Sequence, residues 1–543
     1  MTRVRRWGVA LLVLAAVGAA TAPAAIGGAV AFGPPVRLAG LKSGFTEPRL
    51  ARGPDGTSWV ITNDPDTGHA IVLSSTDGGL RWRRTASEFP GQQQPSPDTD
   101  IAVTRTGRVI ATELDGAGLS FVTAYTDDRG RTWTAVQGTS IADSDRPWFA
   151  VGPDDPASHQ PRVFLFWHNL VTGIAQHLMN VQTSTDGGAS FGPPVPVALP
   201  GSQAYLDLQC ADSGAPSSLR VDPRTGRVYA VFGTRTSVLG GCGASTTGQP
   251  EANVVGETRI WVASSPDGSV GSWTDSLAAD AGDKVVSASF ETSALDAAGN
   301  IYIAYAQTRH PYPDFSQADV RYVRAPAGGA RWSAPVVVAP GGPVGHYDPT
   351  IAAGDRGRIA IAYYEGSPRT GQPPVWSVRD AVVQGADSSH PEIAYGVVDP
   401  RPAYAQTADQ MGGACSSGPL AGLQNGFLCH RATDDWAVGL DSQCRLTVIY
   451  PMSVNTAPGA APGTWAAVQR GAPTLCTTSA APARTVTSPL QRPPATKGLG
   501  QLPATGLPSG GPALAAVVVL GALAVRAAAA LRIPWEQTRG AHR

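Results

Sequence analysis

Ser75–Trp82 reads STDGGLRW, Thr126–Trp133 reads TDDRGRTW and Ser184–Phe191 reads STDGGASF. All three fit Ser/Thr-x-Asp-x-Gly-x-x-aromatic, and a looser copy begins at Ser265 with Asp267, Gly268 and Trp273. The spacing describes a hairpin turn. The Asp carboxylate can accept hydrogen bonds from turn amides, Gly takes a positive φ without strain, and the aromatic ring folds back beneath the turn. Ser75, Asp77, Gly79 and Trp82 are therefore structural residues, as are Thr126, Asp128, Gly130 and Trp133, and Ser184, Asp186, Gly188 and Phe191.

A second unit recurs around these turns: a strand, a turn with Gly, then an apolar strand. It appears in RLARGPDGTSWVI from Arg49, IAVTRTGRVIAT from Ile101, LRVDPRTGRVYAVF from Leu219 and ALDAAGNIYIAY from Ala294. It returns in IAAGDRGRIAIAYY from Ile351 and AVGLDSQCRLTVIY from Ala437, and a longer-looped copy runs from Trp148 to Trp167. Seven copies at roughly 50 to 86 residues suit four-stranded propeller blades. The fold expectation is all-β, a seven-bladed β-propeller over 32–476, with six blades as the alternative count. FGPPVPVALP from Phe191 follows a turn repeat, and its relative FGPPVRLAG from Phe32 precedes the first hairpin. The N-terminal strand at 34–39 should therefore complete the last blade, whose other strands lie within 434–471, and close the ring.

Composition agrees. Of 543 residues, 63 are Gly and 47 Pro, about a fifth of the chain, where roughly 12% is average. Charged residues are 15% and hydrophobic residues 42%, which excludes a coiled coil or a highly charged disordered chain. A net charge of −1 gives no footprint for nucleic acid.

The turn motif resembles the Asp-box (BNR) repeat of the sialidase superfamily. Sialidases bind the substrate carboxylate with three arginines, use a Tyr–Glu pair as nucleophile and an Asp as acid/base. The resemblance implies Arg49 as one arginine, in Arg49-Leu50-Ala51 where the family has Arg-Ile-Pro. It implies Asp66, or Asp64, as the acid, and Tyr347, or Tyr395, as nucleophile. Arg309 or Arg321 would supply further arginines. The family's second arginine has no counterpart in Ile61-Thr62-Asn63.

Both ends address the chain. Residues 1–25 read as a signal peptide: Arg3, Arg5 and Arg6, then apolar Val9–Ala20, then Ala22-Pro23-Ala24 before Ala25. An uncleaved anchor is the alternative. Leu502-Pro503-Ala504-Thr505-Gly506 resembles the LPxTG signal of Gram-positive wall proteins, which sortases cleave after Thr505. A hydrophobic anchor segment follows at 512–533, interrupted by Arg526, then a basic tail at 534–543 on the cytoplasmic side. A plain membrane anchor is the other reading of this end. An Ala/Pro/Thr-rich linker at 477–501 separates the propeller from this signal. The partners implied are sortase, peptidoglycan and the membrane, with the propeller outside the cell.

Six cysteines in an exported chain suggest disulfides, with neighbours paired: Cys210–Cys242, Cys415–Cys429 and Cys444–Cys476. No metal-ligand spacing is present. Asp64-Pro65-Asp66-Thr67-Gly68 is a fragment of a calcium loop without its later Glu, and no cofactor is expected.

Propeller function concentrates where the innermost strands open onto the channel. The segments leading into those strands carry Glu47 and Arg49, Asp98 and Asp100, Asp145 and Arg146. Later copies bring Glu291, then His346, Tyr347 and Asp348, then Asp434 and Asp435. Two functional classes follow: a sialidase-like hydrolase of extracellular glycans, or a non-catalytic propeller that binds glycans or surface proteins. Three arginines meeting beside a Tyr–Glu pair would distinguish the first.

Overall fold

The structure is a computed structural model. It describes residues 24–25, 29–40 and 46–477, apart from 91–94, 116–119, 137, 140–143, 170–177, 209–215, 235–256, 287–291, 312–313, 315, 330, 406–435 and 453–461. The linker, sorting motif, anchor segment and basic tail lie outside the described residues, as do residues 1–23 of the signal segment, Glu291, Asp434, Asp435 and four of the six cysteines.

Seven antiparallel sheets follow one another along the chain. Blade 1 comprises Arg49–Arg52, Ser58–Asn63, Ala70–Ser75 and Arg83–Arg84; blade 2 comprises Pro95–Val103, Val109–Asp115, Ser120–Thr126 and Thr134–Ala135. Blade 3 comprises Ser144–Asp154, Pro161–Asn169, Met179–Ser184 and Val195–Pro196; blade 4 comprises Pro216–Val221, Val228–Thr234, Arg259–Ser265 and Thr274–Asp280. In blade 5 the innermost position is divided between Lys284–Val286 and Thr292–Leu295, followed by Ile301–Pro311, Asp319–Ala325 and Val336–Ala339. Blade 6 is the tallest: His346–Ala353, Arg358–Arg369, Gln372–Gln384 and Glu392–Ala405. Blade 7 comprises Ala437–Leu440, Leu446–Met452 and Gly463–Arg470, and its fourth strand is Val36–Gly40.

That last strand closes the ring. It runs antiparallel to Gly463–Arg470, with Val36 opposite Ala466 and Gly40 opposite Gly463. The innermost strands touch in order from blade 1 to blade 7, and Ala437–Leu440 of blade 7 touches Arg49–Arg52 of blade 1. The segment before the closing strand reaches further. Ala31–Phe32 pairs with Gln469–Arg470 of blade 7, Val30 bridges Gly396 of blade 6, and Ala24–Ala25 lies parallel to Glu392–Ile393. The N-terminal segment thus fastens blade 6 to blade 7.

The core is divided among the blade interfaces. Seven separate clusters of buried side chains exist among the described residues, one at each junction between neighbouring blades. At the closing junction Val60, Ile71 and Leu73 of blade 1 pack on Ala39, Ala437, Ile449 and Ala466 of blade 7. This arrangement explains the near-continuous apolar runs of the second strands, such as Val228–Thr234, which is buried throughout: both faces of a blade meet another blade.

The Asp-boxes occupy the turns between third and fourth strands in blades 1 to 4. In the first, Asp77 Oδ1 accepts from the Leu80 and Arg81 amides at 3.0 and 2.9 Å, and Ser75 Oγ accepts from Gly79 N at 2.9 Å. Asp128 and Asp186 make the same contacts. The Thr132 amide and hydroxyl hold Asp128 down to a pKa of about 2. Gly188 shows why Gly stands fifth in the motif: its φ is 84°, and a Cβ there would lie 2.3 Å from Ile110 Cδ1 of the preceding blade.

Cys444 and Cys476 form a disulfide with Cα atoms 5.6 Å apart. It ties the segment after blade 7 to that blade's first turn, beside the contact from Asp355 N to Leu475 O at 2.8 Å. Among the described residues, no helix is long and apolar enough to cross a membrane.

Candidate functional site

At one face of the ring each innermost strand, or the residue just before it, presents one side chain to the axis, followed by an apolar residue in six blades and by Ser293 in blade 5. In blade order these axial positions are Arg49, Asp100, Trp148, Ser218, Thr292, Thr350 and Trp436, and all seven line one central cavity of about 140 Å³. Ligand pockets generally run to about 300–1,000 Å³. The channel therefore admits a small polar substituent, while the rest of any larger ligand would lie across its mouth.

Proline sets the geometry in three blades. Glu47-Pro48-Arg49, Arg146-Pro147-Trp148 and Asp348-Pro349-Thr350 share one pattern. Arg146 and Asp348 have φ of 56° and 50°, at irregularities where the innermost strand slips against its neighbour. Such bulges re-aim side chains. Here each turns its own residue away from the axis and sends the residue after Pro inward.

The axial side chains interlock. The Arg49 guanidinium lies 3.8 Å above the Trp148 ring. Trp148 Nε1 donates to Pro216 O at 2.7 Å, and Trp436 Nε1 donates to Asp348 O at 2.6 Å. Arg220 also lines the cavity and donates from Nε to Ser293 O at 2.7 Å. Asp100 Oδ2 accepts from Phe149 N at 2.6 Å. Burial pushes the Asp100 pKa up to about 6, against the pull of Arg49, the Phe149 and Ile101 amides and Arg220. A carboxyl tuned to that value changes charge under mild conditions, with two guanidinium groups close by.

A second polar cluster stitches blades 1 to 3. Arg146 Nη1 lies 3.4 Å from Asp98 and 3.9 Å from Glu47, and its Nε lies 3.7 Å from Asp145. His168 Nε2 lies 3.3 Å from Asp145 Oδ2. Desolvation raises the Asp98 pKa, with Asp145 adding to the rise and Arg146 opposing it. Desolvation acts on Asp145 as well, but the His168 hydrogen bond and Arg146 outweigh it and hold that carboxylate low. Glu47, Asp145 and Arg146 are buried and lie outside the cavity lining, which suits inter-blade pinning.

The other expected site residues separate. Asp66 is exposed on the loop between the second and third strands of blade 1, where Asp64 Oδ1 accepts from its amide at 2.8 Å. Tyr347 is buried in the blade 6–blade 7 cluster with its ring edge-on to Trp376 at 5.4 Å. Arg309 and Arg321 both pair with Asp319 in blade 5. His346 lines a cleft between blades 5 and 6, and Asp348 serves Trp436. Tyr395, the alternative nucleophile, lines that same cleft with Tyr363 and Glu365, beside one arginine, Arg379, rather than three. Trp148, Arg220, Ser218, Thr292, Thr350 and Trp436 were not singled out from sequence. Aligning the hairpins on their turn Gly would have put Thr292 and Thr350 in register with Arg49 and Asp100, whereas the turn before Gly226 is one residue longer and hides Ser218.

No known family profile matches the chain. A curated sialidase of Micromonospora viridifaciens is 29% identical over 143 residues, 24% of this chain and 21% of that protein, so the match spans about a fifth of the relative's length. Among solved structures, an ulvan lyase of polysaccharide lyase family PL25 is similar at a TM-score of 0.46 and 12% identity, covering 83% of this chain and 97% of the lyase. An α-L-arabinofuranosidase of Fusarium graminearum is similar at 0.39 and 13%, covering 66% and 99%. A Hadza microbial sialidase is similar at 0.35 and 14%, covering 65% of each chain.

Proposed function

We propose that this protein is an exported, surface-attached propeller that recognises acidic glycans at the channel mouth. The observation that carries the reading is the convergence of Arg49, Arg220 and Asp100 on one cavity sized for a substituent such as a carboxylate. Arginine is suited to carboxylate and sulfate recognition, and Trp148 and Trp436 give the cavity aromatic walls. The partial match to a sialidase supports a glycan as the ligand. Export is supported by the basic-then-apolar start and by the Cys444–Cys476 disulfide. Attachment through sortase to peptidoglycan is supported by Leu502–Gly506 and the apolar, then basic, segment after it.

A hydrolase is the second reading, favoured by one feature: Asp100 carries a pKa of about 6, in the range of a general acid. An array of acidic and neutral glycans, probed with the wild-type chain and Arg49→Ala, tests recognition. The proposal expects acidic glycans to be retained by the wild type and lost by the variant. Turnover of a fluorogenic sialoside that disappears in Asp100→Asn would establish the hydrolase, and its absence with binding intact would leave a binding propeller.

A further inference from the structure

The cleft between blades 5 and 6 holds a cavity of about 460 Å³, within the usual range for ligand pockets and about three times the size of the axial one. Its residues do not overlap those of the axial cavity. At one end Glu365 is ion-paired with Arg379, and His346 Nε2 lies 3.8 Å from Glu365 Oε1. His346 is 7% exposed and lines the cavity, and its Nδ1 has no hydrogen-bond partner among the described residues. A buried ring nitrogen without a partner is costly unless something polar meets it. Tyr395, on another wall, is 46% exposed, and its hydroxyl donates to Val338 O at 2.7 Å, which fixes the ring in place.

We propose that this cleft is a second carbohydrate site, distinct from the channel mouth and selective for a neutral pyranose unit. The proposal rests on the reading of the molecule as a glycan-recognising propeller and gives it a second contact. Three features converge on that ligand. The Glu365 and Arg379 charges cancel locally, which favours a neutral ligand over an acid. A carboxylate and a guanidinium side by side offer planar acceptor and donor pairs, the pattern that vicinal hydroxyls satisfy. The anchored Tyr395 ring supplies a flat apolar face for the C–H side of a sugar. With Nε2 toward Glu365, His346 Nδ1 remains to accept a hydroxyl proton. The outer end is walled by Ala29 and Val30, so the pocket is complete only when the N-terminal segment is docked.

Saturation-transfer NMR on the whole chain tests this, with maltotriose, xylotriose and chitotriose as neutral probes. The proposal expects transfer from at least one probe, weakened tenfold or more in Tyr395→Ala at an unchanged melting temperature and preserved in Arg49→Ala. Glu365→Gln should weaken the same probe while the protein still unfolds in a single cooperative melting transition. Absence of transfer from all three probes overturns the proposal, as does transfer indifferent to Tyr395→Ala. Transfer lost in Arg49→Ala but kept in Tyr395→Ala also overturns it while leaving the channel-mouth reading intact. Failure of acidic-glycan binding on the array would instead strike the channel-mouth reading.

Discussion

Asp100 concentrates the chemistry of the axial site in one side chain. Its pKa of about 6 against an ordinary 3.8 means that the folded protein resists its ionisation. For a carboxyl raised in this way, the fold loses nothing below about pH 4, and the cost grows until the pH passes 6. A shift of roughly 2 units corresponds to on the order of 3 kcal/mol. Asp100→Asn keeps an acceptor for Phe149 N and removes the ionisation. It should therefore match the wild type in stability near pH 4 and exceed it by up to about 3 kcal/mol at pH 8, as read by urea unfolding at both pH values. An equal difference at the two pH values would refute the assignment. At this scale the sequence was only partly legible. Arg49 and Asp100 were visible as polar residues ahead of apolar strands, and they do face each other's charge. Tyr347 stood in the same kind of segment but packs in the core, and the bulge at Asp348-Pro349 sends Thr350 to the axis instead. Asp66 matched a family position by loop order alone, which fixes neither depth nor direction.

The Asp-box was the most legible element, since its residues specify one another within eight positions. Gly188 carries two demands at once: a φ of 84° and no room for a Cβ beside Ile110. Gly188→Ala should cost about 2–4 kcal/mol, from left-handed strain plus displacement of the neighbouring blade. Gly107→Ala, with φ of 90° but nothing within 4 Å of the added Cβ, should cost only the strain of about 1–3 kcal/mol. Chemical unfolding of both variants checks the difference, and equal losses would mean that the contact with Ile110 carries no weight. Strand positions were legible for the same local reason. The apolar second half of each of the seven repeats falls inside an observed second strand. The inter-blade pins were not legible, because Arg146 meets Glu47 and Asp98 only after three blades have stacked.

For the molecule as a whole, closure by the N-terminal strand follows from a pairing across more than 400 residues, and it was inferred from the kinship of two proline-rich strands. Deleting residues 32–39 should lower the melting temperature sharply and promote association, because it bares the edge of Gly463–Arg470 and opens the cluster around Ala39. A deletion variant melting like the wild type would contradict the closed ring. The ring also sets the site, since the seven axial residues meet only when blade 7 reaches blade 1. Below pH 6 Asp100 becomes neutral and no longer competes with an anionic ligand for Arg49 and Arg220; above it the carboxylate competes with one. The most direct test is calorimetric titration of sialyllactose at pH 5 and pH 7.5 into the wild type and Arg49→Ala. Several-fold tighter binding by the wild type at pH 5, weakened about tenfold or more by Arg49→Ala, is the predicted result. No binding, or equal affinity for both proteins at both pH values, would contradict the account.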